Sequence, residues 1–320
     1  MKHLLIIAIT SIFLSCNSED TAPAQSTQNS AAPTTRRPEL STGNKTDFKK
    51  IEKLPAGIDS IFNKMPSKEN GYYKFSFPRT DLNVSLDGIK IDPRLAFTTW
   101  FAFRPMDTVN AMAMVMGDVV LLETEFKAVL QKMDQRGLDV SAIHNHLLNE
   151  KPKVMYLHVS AMGEPKDLCV KLKELLQLTH TPLNYVNTDT ASTMEWGMTE
   201  KNMGVLGKKE GSVYKFSIPR NERIKEEGME LPETFGVNSV VNFQKAGNKA
   251  AVTGDFILLG TEISTAQRIL SRAGILVTAI HSHMLFDEPH FYFMHFWAVD
   301  DAEKIANALH DLLVHSNHKL

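Results

Sequence analysis

The sequence predicts an α+β protein built from two homologous tandem halves, each a mostly antiparallel sheet with helices on one face. Three observations lead to this fold class. A long block recurs at a fixed spacing of 137 residues, β-rich runs alternate with helix-periodic runs inside each copy, and both copies have the same element order. The clearest instance is "AIHNHLL" at 142–148, which returns as "AIHSHML" at 279–285.

The internal repeat extends well beyond this motif. The run "GYYKFSFPR" is followed later in the chain by "GSVYKFSIPR", and from Gly117 onward the match to the block that begins at Gly254 is ungapped. A match of this length at one spacing indicates a duplication. We therefore assign a first repeat to residues 46–190 and a second to residues 191–320, with the join near "NTDTASTMEWG".

Each half has predicted elements in the order strand, helix, strand, strand, helix. In the first half "GDVVLL" is a short strand, and "TEFKAVLQKMDQRG" is a helix with Thr124 as its cap and Gly137 as its stop. The strands "LDVSAIHNHLL" and "KVMYLHVSA" are separated by the turn "NEKP", and "EPKDLCVKLKELLQL" is the second helix. Two further strands precede them, around residues 72–78 and 97–103. This order favours helices that cover one face of an antiparallel sheet.

The N-terminal residues have the features of a bacterial lipoprotein signal. A basic start and an apolar run at 4–14, too short to span a membrane, end in "FLSC" at Cys16. Residues 1–16 therefore form the predicted signal peptide, with lipid attached to this cysteine, although an ordinary signal peptide with an accidental cysteine is the alternative. Residues 17–45 contain almost no large apolar groups and form a predicted disordered tether. We expect a protein anchored by lipid in the cell envelope, facing the periplasm or exposed at the surface.

The composition limits the possible partners. With 43% hydrophobic and 22% charged residues the chain is typical of globular proteins. A net charge of −2 and the lack of a basic stripe argue against a nucleic-acid partner. Cys16 and Cys169 are the two cysteines, so no disulfide framework is expected. Gly-x-Ser-x-Gly, phosphate-loop and His-Glu-x-x-His motifs are absent.

Six of the twelve histidines occupy matched positions in the repeated block and form two sets of three. Alternate residues of a strand face one side, so His144 and His146 should project together. If "NEKP" closes a hairpin, His158 on the next strand should lie directly beside His144. The second half repeats this arrangement with His281, His283 and His295.

Three imidazoles on one strand face have the geometry that a divalent ion requires, and zinc is the metal we expect first. We predict one such site in each half, with an open position for water or substrate. Because the ligands must be neutral, metal affinity should fall as the pH drops through about 6.5. The alternative is that the histidines hydrogen-bond across the sheet as structural groups, which a duplicated fold would also repeat. The pattern also resembles the His-x-His-x-x-x-Glu of cupins, but cupin barrels lack helices between their strands.

Other matched polar residues are further candidates. Glu150 and Asp287, at the hairpin turns, could be a general base or a fourth ligand, or could be solvated turn acids. Arg79 and Arg220, which end "FSFPR" and "FSIPR", could bind an anionic ligand group or pin the strand end by pairing with a carboxylate.

Two other patterns have structural interpretations. Glu125 and Glu262 fall in the first turn of a predicted helix, where a carboxylate offsets the helix dipole. Met112, Met114 and Met116 share one strand face and could hold copper(I), but the second half has no methionine at the matching positions. Core packing is therefore the preferred interpretation of the methionines.

Several of these runs together are similar to a known family. "FSFPRTDLNVSLDG", "MVMGDVVLL", "AIHNHLL", "VYKFSIPR", "AVTGDFILL" and "AIHSHML" resemble the LppY/LpqO family of bacterial lipoproteins, over residues 46–318. The resemblance implies a secreted or lipid-anchored protein with a duplicated domain. It supplies no catalytic residue, substrate or cofactor.

Two functions are compatible with these observations. The first is a lipid-anchored envelope protein whose histidine sites bind a divalent metal, for hydrolysis or for metal handling. The second is a metal-free module that binds a small molecule or another envelope component through a pocket beside the histidine strands. The sequence leaves open whether the protein is an enzyme. In both cases the lipid anchor is its contact with the membrane.

Overall fold

The computed structural model describes residues 57–69, 72–106, 112–184, 195–232 and 235–320, all within the unit Asp47–Leu320. The predicted signal peptide with Cys16, the predicted tether at 17–45 and most of the predicted join lie outside the described residues. Within the described part of the chain, no helix is both long enough and apolar enough to cross a membrane.

The predicted element order occurs in both halves. The first half contains α1 (Ile58–Phe62), β1 (Ser67–Glu69), β2 (Tyr72–Pro78), β3 (Ser85–Leu86), β4 (Ile89–Lys90), α2 (Pro93–Ala96), β5 (Thr98–Pro105), β6 (Ala113–Leu122), α3 (Glu123–Arg136), β7 (Asp139–His144), β8 (Val154–Gly163) and α4 (Pro165–Leu178). The second half contains α5 (Gly197–Met203), β9 (Lys208–Glu210), β10 (Val213–Pro219), β11 (Lys225–Glu226), β12 (Met229–Glu230), β13 (Asn238–Ala246), β14 (Lys249–Leu259), α6 (Ile263–Arg272), β15 (Leu276–His281), β16 (Asp287–Glu288), β17 (Phe291–Asp300) and α7 (Ala302–Val314).

Each half forms a six-stranded sheet, and the two sheets have the same strand order. The first sheet runs β1-β2-β5-β6-β8-β7, and the second runs β9-β10-β13-β14-β17-β15. The strand pairings in both are antiparallel. The prediction of two tandem α+β halves is confirmed. The strands that begin the histidine motifs, β7 and β15, are edge strands.

The long helices pack on the outer face of each sheet. In the first half, Phe101 and Phe103 of β5 point toward the same core as Leu172 and Leu175 of α4. This follows from the period of two in the strand and the spacing of three to four in the helix. Each large apolar side chain buried in this way stabilises the fold by about 1.5–3 kcal/mol.

The inner faces of the two sheets pack against each other. One mixed core joins Met116 of the first half to Phe293 of the second, and another joins Tyr156 to Trp297. The layers are therefore helices, sheet, sheet, helices. Met114 and Met116 are buried in the first of these cores, as the packing interpretation of the methionine run predicted.

The register of the histidine hairpin differs from the predicted one. Strand β7 ends at His144, which lies opposite Tyr156, and Ala142 lies opposite His158. The predicted pairing of His144 with His158 was therefore wrong by two residues. The physical reason is that the chain between β7 and β8 forms a wide loop rather than a tight turn, and His146 lies in that loop.

Helix α3 begins one residue before the predicted cap. Its first residue is Glu123, so Thr124 lies inside the first turn. The carboxylate of Glu125 instead accepts a hydrogen bond of 2.8 Å from the backbone N–H of Leu122. In the second half Glu262 accepts the same bond, at 2.7 Å, from the last residue of β14. These glutamates therefore fix the junction between strand and helix as well as lying near the helix dipole.

Candidate metal centre

The six predicted histidines form one cluster between the two halves. Four of them lie on strands at the inner faces of the two sheets, and His146 and His283 lie in the loops that follow β7 and β15. Because those faces meet, the two predicted sets of three come together. The distances between ring centroids across the halves are 3.8 Å for His144 and His281, 4.0 Å for His146 and His295, and 3.8 Å for His158 and His283.

The cross pairs are related by approximate two-fold symmetry. His146 corresponds to His283 in the other half, and His295 corresponds to His158. The pair His146 and His295 is therefore the symmetry equivalent of the pair His283 and His158. The members of the first pair are equivalent to each other and so lie at the axis. The centre is therefore a product of the duplication, since neither half alone contains these pairs.

Hydrogen bonds between each edge strand and the loop that follows the other edge strand hold the backbone of the cluster. Ser141 Oγ donates to the carbonyl of His283 at 2.5 Å, and Thr278 Oγ1 donates to the carbonyl of His146 at 2.5 Å. Asn145 Nδ2 donates to the carbonyl of Thr278 at 3.1 Å. Each half thus anchors the second histidine of the other half's His-x-His motif.

Two groups of donor atoms are close enough together to hold a metal ion. In each group the candidate atoms lie within 4.8 Å of one another. The first group combines one histidine of the first half with all three histidines of the second half. The groups are His144, His281, His283 and His295, and Asp118, His144 and His158. Imidazole nitrogen and carboxylate oxygen are the donors that zinc takes in proteins.

Asp118 of β6 is a candidate ligand that the sequence reasoning missed. Its side chain is 5% exposed, and its Oδ2 lies 3.5 Å from Nε2 of His146, 3.8 Å from that of His158 and 3.9 Å from that of His144. The available signal was a single acid inside the apolar run "MVMGDVVLL", matched by Asp255 in "AVTGDFILL". A carboxylate in the middle of a buried strand requires a partner, and a metal ion is one such partner.

Several buried polar atoms of the cluster have no hydrogen-bond partner among the described residues. They are both ring nitrogens of His158, both ring nitrogens of His283, Nδ1 of His144 and Oδ1 of Asp118. Each such atom costs about 1–3 kcal/mol if nothing binds it. So many in one place indicate a site for a ligand, and the donor set fits a transition metal.

Burial keeps the histidines neutral. It lowers the pKa of His158 and of His281 to about 4, and holds the pKa values of the other four well below the ordinary value. Neighbouring imidazoles add to the effect at most of these positions. A neutral imidazole offers the lone pair that a metal needs. We therefore expect metal affinity to be lost on acidification at a lower pH than the value of about 6.5 predicted from the sequence.

Two aspartates, Asp118 and Asp255, line the cavity beside the cluster. Burial raises the pKa of Asp118, and burial together with the charge of Asp118 raises the pKa of Asp255 to about 7. His158 and Lys74 act on Asp118 in the opposite direction. A carboxyl pair of this kind holds a proton near neutral pH and releases it when a cation binds.

A cavity of about 210 Å³ adjoins the cluster and is lined by both halves. His146 and Asp118 contribute from the first half, and His283, His295 and Asp255 from the second. A small molecule in this cavity would therefore contact the candidate ligands directly.

The two predicted arginines lie outside the cluster. Arg79 is 1% exposed and forms ion pairs with Asp81 at 2.9 Å and Glu125 at 3.0 Å. It also donates to the carbonyl of Val120 at 2.8 Å. Arg220 makes the equivalent two ion pairs at 2.7 Å each. Of the two interpretations given to these arginines, the structure shows pairing with carboxylates at the strand end.

The predicted acids at the hairpin turns bind backbone. Glu150 accepts from the N–H of Val154 at 3.1 Å, and Asp287 accepts from the N–H of Phe291 at 2.8 Å. Asp287 also contacts His290 Nδ1 at 2.7 Å. Neither acid belongs to the two groups of candidate ligand atoms. Their positions fit a role in shaping the loop that carries the histidines.

The chain belongs to the family described as Domain of Unknown Function (DUF1259). The family model matches residues 56–178 and matches a second time at residues 198–315. One copy of the domain therefore lies in each half, in agreement with the internal repeat. No curated protein matches the sequence.

Three solved structures align with low similarity. The trimeric bacterial microcompartment shell protein PduB is 10% identical, covers 77% of this chain and 87% of its own, and has a TM-score of 0.19. EtuB from Clostridium kluyveri is 8% identical; the alignment covers 78% of this chain and 88% of EtuB, with a TM-score of 0.19. TP0453 is 8% identical; the alignment covers 66% of this chain and 80% of TP0453, with a TM-score of 0.18. Scores this low do not establish a shared fold.

Proposed function

We propose that this protein is a metal-binding protein of the bacterial cell envelope, with one transition-metal centre between its two repeats. The observation that carries the proposal is the convergence of four histidines from both halves, three of them buried, with their candidate ligand atoms within 4.8 Å of one another. The unpartnered nitrogens of His158 and His283 support it. Zinc is the first candidate because it takes nitrogen and carboxylate donors in tetrahedral geometry.

We expect one ion per chain. Both groups of candidate ligands include His144, and a neutral imidazole has a single lone pair to donate. The two groups therefore cannot both be complete at the same time. Four imidazoles would also fill a tetrahedral shell, which is the arrangement of a closed site. Binding of the metal, rather than catalysis by it, is the function that this geometry supports best.

The test combines metal analysis with thermal unfolding. The purified chain should contain one zinc or similar ion, and metal at a hundredfold excess over its dissociation constant should stabilise the fold by about 2.7 kcal/mol. His144→Ala should weaken binding at least about tenfold, because His144 belongs to both groups. His315→Ala, at a side chain that is 53% exposed on the surface, is the matched control and should bind normally. No bound metal and no metal-dependent shift in the wild type would contradict the proposal and favour the metal-free binding module.

The envelope location and the lipid anchor are a second part of the proposal. They are supported by the apolar run that ends in "FLSC", by the polar segment after it and by the resemblance to lipoproteins. Cys16→Ser should move the protein from the membrane fraction to the soluble fraction. Cys169→Ser, at a buried cysteine of α4, is the matched control and should leave the protein on the membrane. A Cys16→Ser protein that stays membrane-bound would rule out this anchor.

A further inference from the structure

We propose that the cavity beside the histidine cluster binds a small organic anion that carries hydroxyl groups, with either a carboxylate or a phosphate as the anionic group. The proposal deepens the proposed function, on which it rests for part of the positive charge. The remaining arguments come from the cavity wall itself: its size, its cations and two buried amide oxygens.

The size of the cavity restricts the ligand to a small molecule. Its volume is about 210 Å³, below the roughly 300 Å³ at which pockets for drug-sized ligands begin. The side chains of both halves surround it, and it lies where the inner faces of the two sheets meet. A ligand there would lie against His146, His283 and His295.

Three cationic side chains line the same cavity. Lys74 and Lys215 occupy equivalent positions in β2 and β10, and Arg94 comes from α2. Lys74 Nζ lies 4.3 Å from the ring centroid of Trp100, a further lining residue. Lys215 and Arg94 each also pair with a carboxylate at 2.7 Å, which fixes the direction of their charged ends. The duplication has thus kept a lysine on each side of the cavity.

The proposed metal adds further positive charge. Neutral imidazoles contribute no negative charge, so an ion held by four of them keeps both of its charges. Asp118 and Asp255 also line the cavity, and their carboxylates can offset part of this charge. A buried positive centre requires a counter-ion, and the adjoining cavity is the place where an anion can supply it.

Two amide oxygens select for a ligand that also donates hydrogen bonds. Oδ1 of Asn238 and Oδ1 of Asn242 are buried in the cavity wall and have no partner among the described residues. The Nδ2 of Asn242 donates to the carbonyl of Leu95 at 2.8 Å, which fixes the orientation of this amide because a carbonyl cannot donate. The free oxygen therefore needs a hydroxyl or N–H group, and several hydroxyls on a small anion fit both amides.

Calorimetric titration of the full chain, metal-free and zinc-loaded, tests the proposal. The probes are D-gluconate for the carboxylate, glucose 6-phosphate for the phosphate, D-glucitol as the neutral analogue of gluconate and acetate as an anion without hydroxyls. At least one of the first two should bind the zinc-loaded chain at least about tenfold more tightly than D-glucitol or acetate. Equal binding of gluconate, glucose 6-phosphate and D-glucitol, or binding of none of the four probes, would overturn the proposal.

Two lysine variants localise the binding. Lys215→Gln should weaken binding of the preferred anion at least about tenfold and leave zinc stoichiometry unchanged. Lys208→Gln removes the exposed lysine paired with Lys215 on the edge strand β9, and should leave anion binding unchanged. Equal affinity in Lys215→Gln and the wild type would overturn the proposal.

The two proposals fail in different ways. Zinc binding without anion binding would overturn the anion site alone. Anion binding by a chain that takes up no metal would overturn the metal centre and keep the anion site on its lysines and amides.

Discussion

The glycines that precede Asp118 and Asp255 show how a single residue permits the site. A Cβ atom on Gly117 would lie 2.3 Å from the carbonyl oxygen of Trp100, and one on Gly254 would lie 1.9 Å from that of Val240. The central strands β6 and β14 therefore approach their neighbours β5 and β13 too closely for any side chain at these positions. The next residue in each strand then carries its carboxylate toward the histidine cluster.

Gly254→Ala should destabilise the protein by about 3 kcal/mol or more, because a Cβ at that position collides with backbone that cannot move aside. Gly260→Ala is the matched control, since its Cβ would lie 3.6 Å from the ring of Tyr292, an ordinary contact. Urea denaturation of both variants gives the free energies of unfolding. Similar stabilities for the two alanine variants would show that β13 can shift to accept a side chain.

At the scale of elements, Arg79 connects the end of β2 to the junction between β6 and α3. Arg79→Gln should cost about 3–5 kcal/mol, because it leaves the carboxylates of Asp81 and Glu125 without their buried partner. Zinc stoichiometry should not change, since the guanidinium lies outside the histidine cluster. Arg136→Gln is the control: its ion pair with Glu174 is at the surface, so we expect a much smaller loss of stability. A small effect of Arg79→Gln would instead leave room for a role in anion binding.

The elements were predictable where the signal is local. The strands before and after α3, and its stop at Gly137, follow from periodicity and from a glycine that adopts φ 63°. The register of β7 against β8 was missed because a wide loop, whose length no local rule fixes, joins the two strands. The six histidines were identified from their repeated spacing. That the six histidines meet in one cluster was not predicted. Alternation of residues along a strand shows that the strand has two faces, but it does not show which surface packs against the inner face.

At the scale of the whole molecule, the buried histidines make stability depend on pH. The unfolded chain protonates its histidines near pH 6.5, whereas burial lowers the pKa of His158 and His281 to about 4 in the folded protein. Between these values the unfolded state binds more protons, so the free energy of unfolding falls as the pH falls. The raised pKa values of Asp118, Asp255 and Glu226 act in the opposite direction, but these three acids are outnumbered by the six histidines.

Metal-free protein should therefore lose stability from pH 7 to pH 5, by roughly 1 kcal/mol per pH unit below 6.5 for each histidine that stays neutral. Urea denaturation in the presence of a chelator measures this slope. Asp255→Asn should make the slope steeper, because it removes a group that gains a proton on folding. A flat profile between pH 7 and pH 5 would show that water reaches the histidines and lets them protonate in the folded state.

One shared centre and two independent centres predict different results for a pair of matched double variants. His144→Ala with His146→Ala removes histidines of the first half, and His281→Ala with His283→Ala removes their equivalents. In the shared four-histidine centre the ligands are His144 and the second triad, so either variant removes ligands and should raise the dissociation constant of zinc at least about tenfold.

Independent centres would instead bind two ions in the wild type, and each double variant would keep one ion with an unchanged dissociation constant. Metal-binding calorimetry provides both numbers, and melting with and without zinc on the same variant separates metal binding from any loss of packing. His310→Ala on α7 with His315→Ala just after it is the control, because neither side chain lies in the cluster, and its zinc affinity should equal that of the wild type. Because two mixed cores join the inner faces of the sheets, the loss of the shared ion should lower the stability of both halves in a single transition.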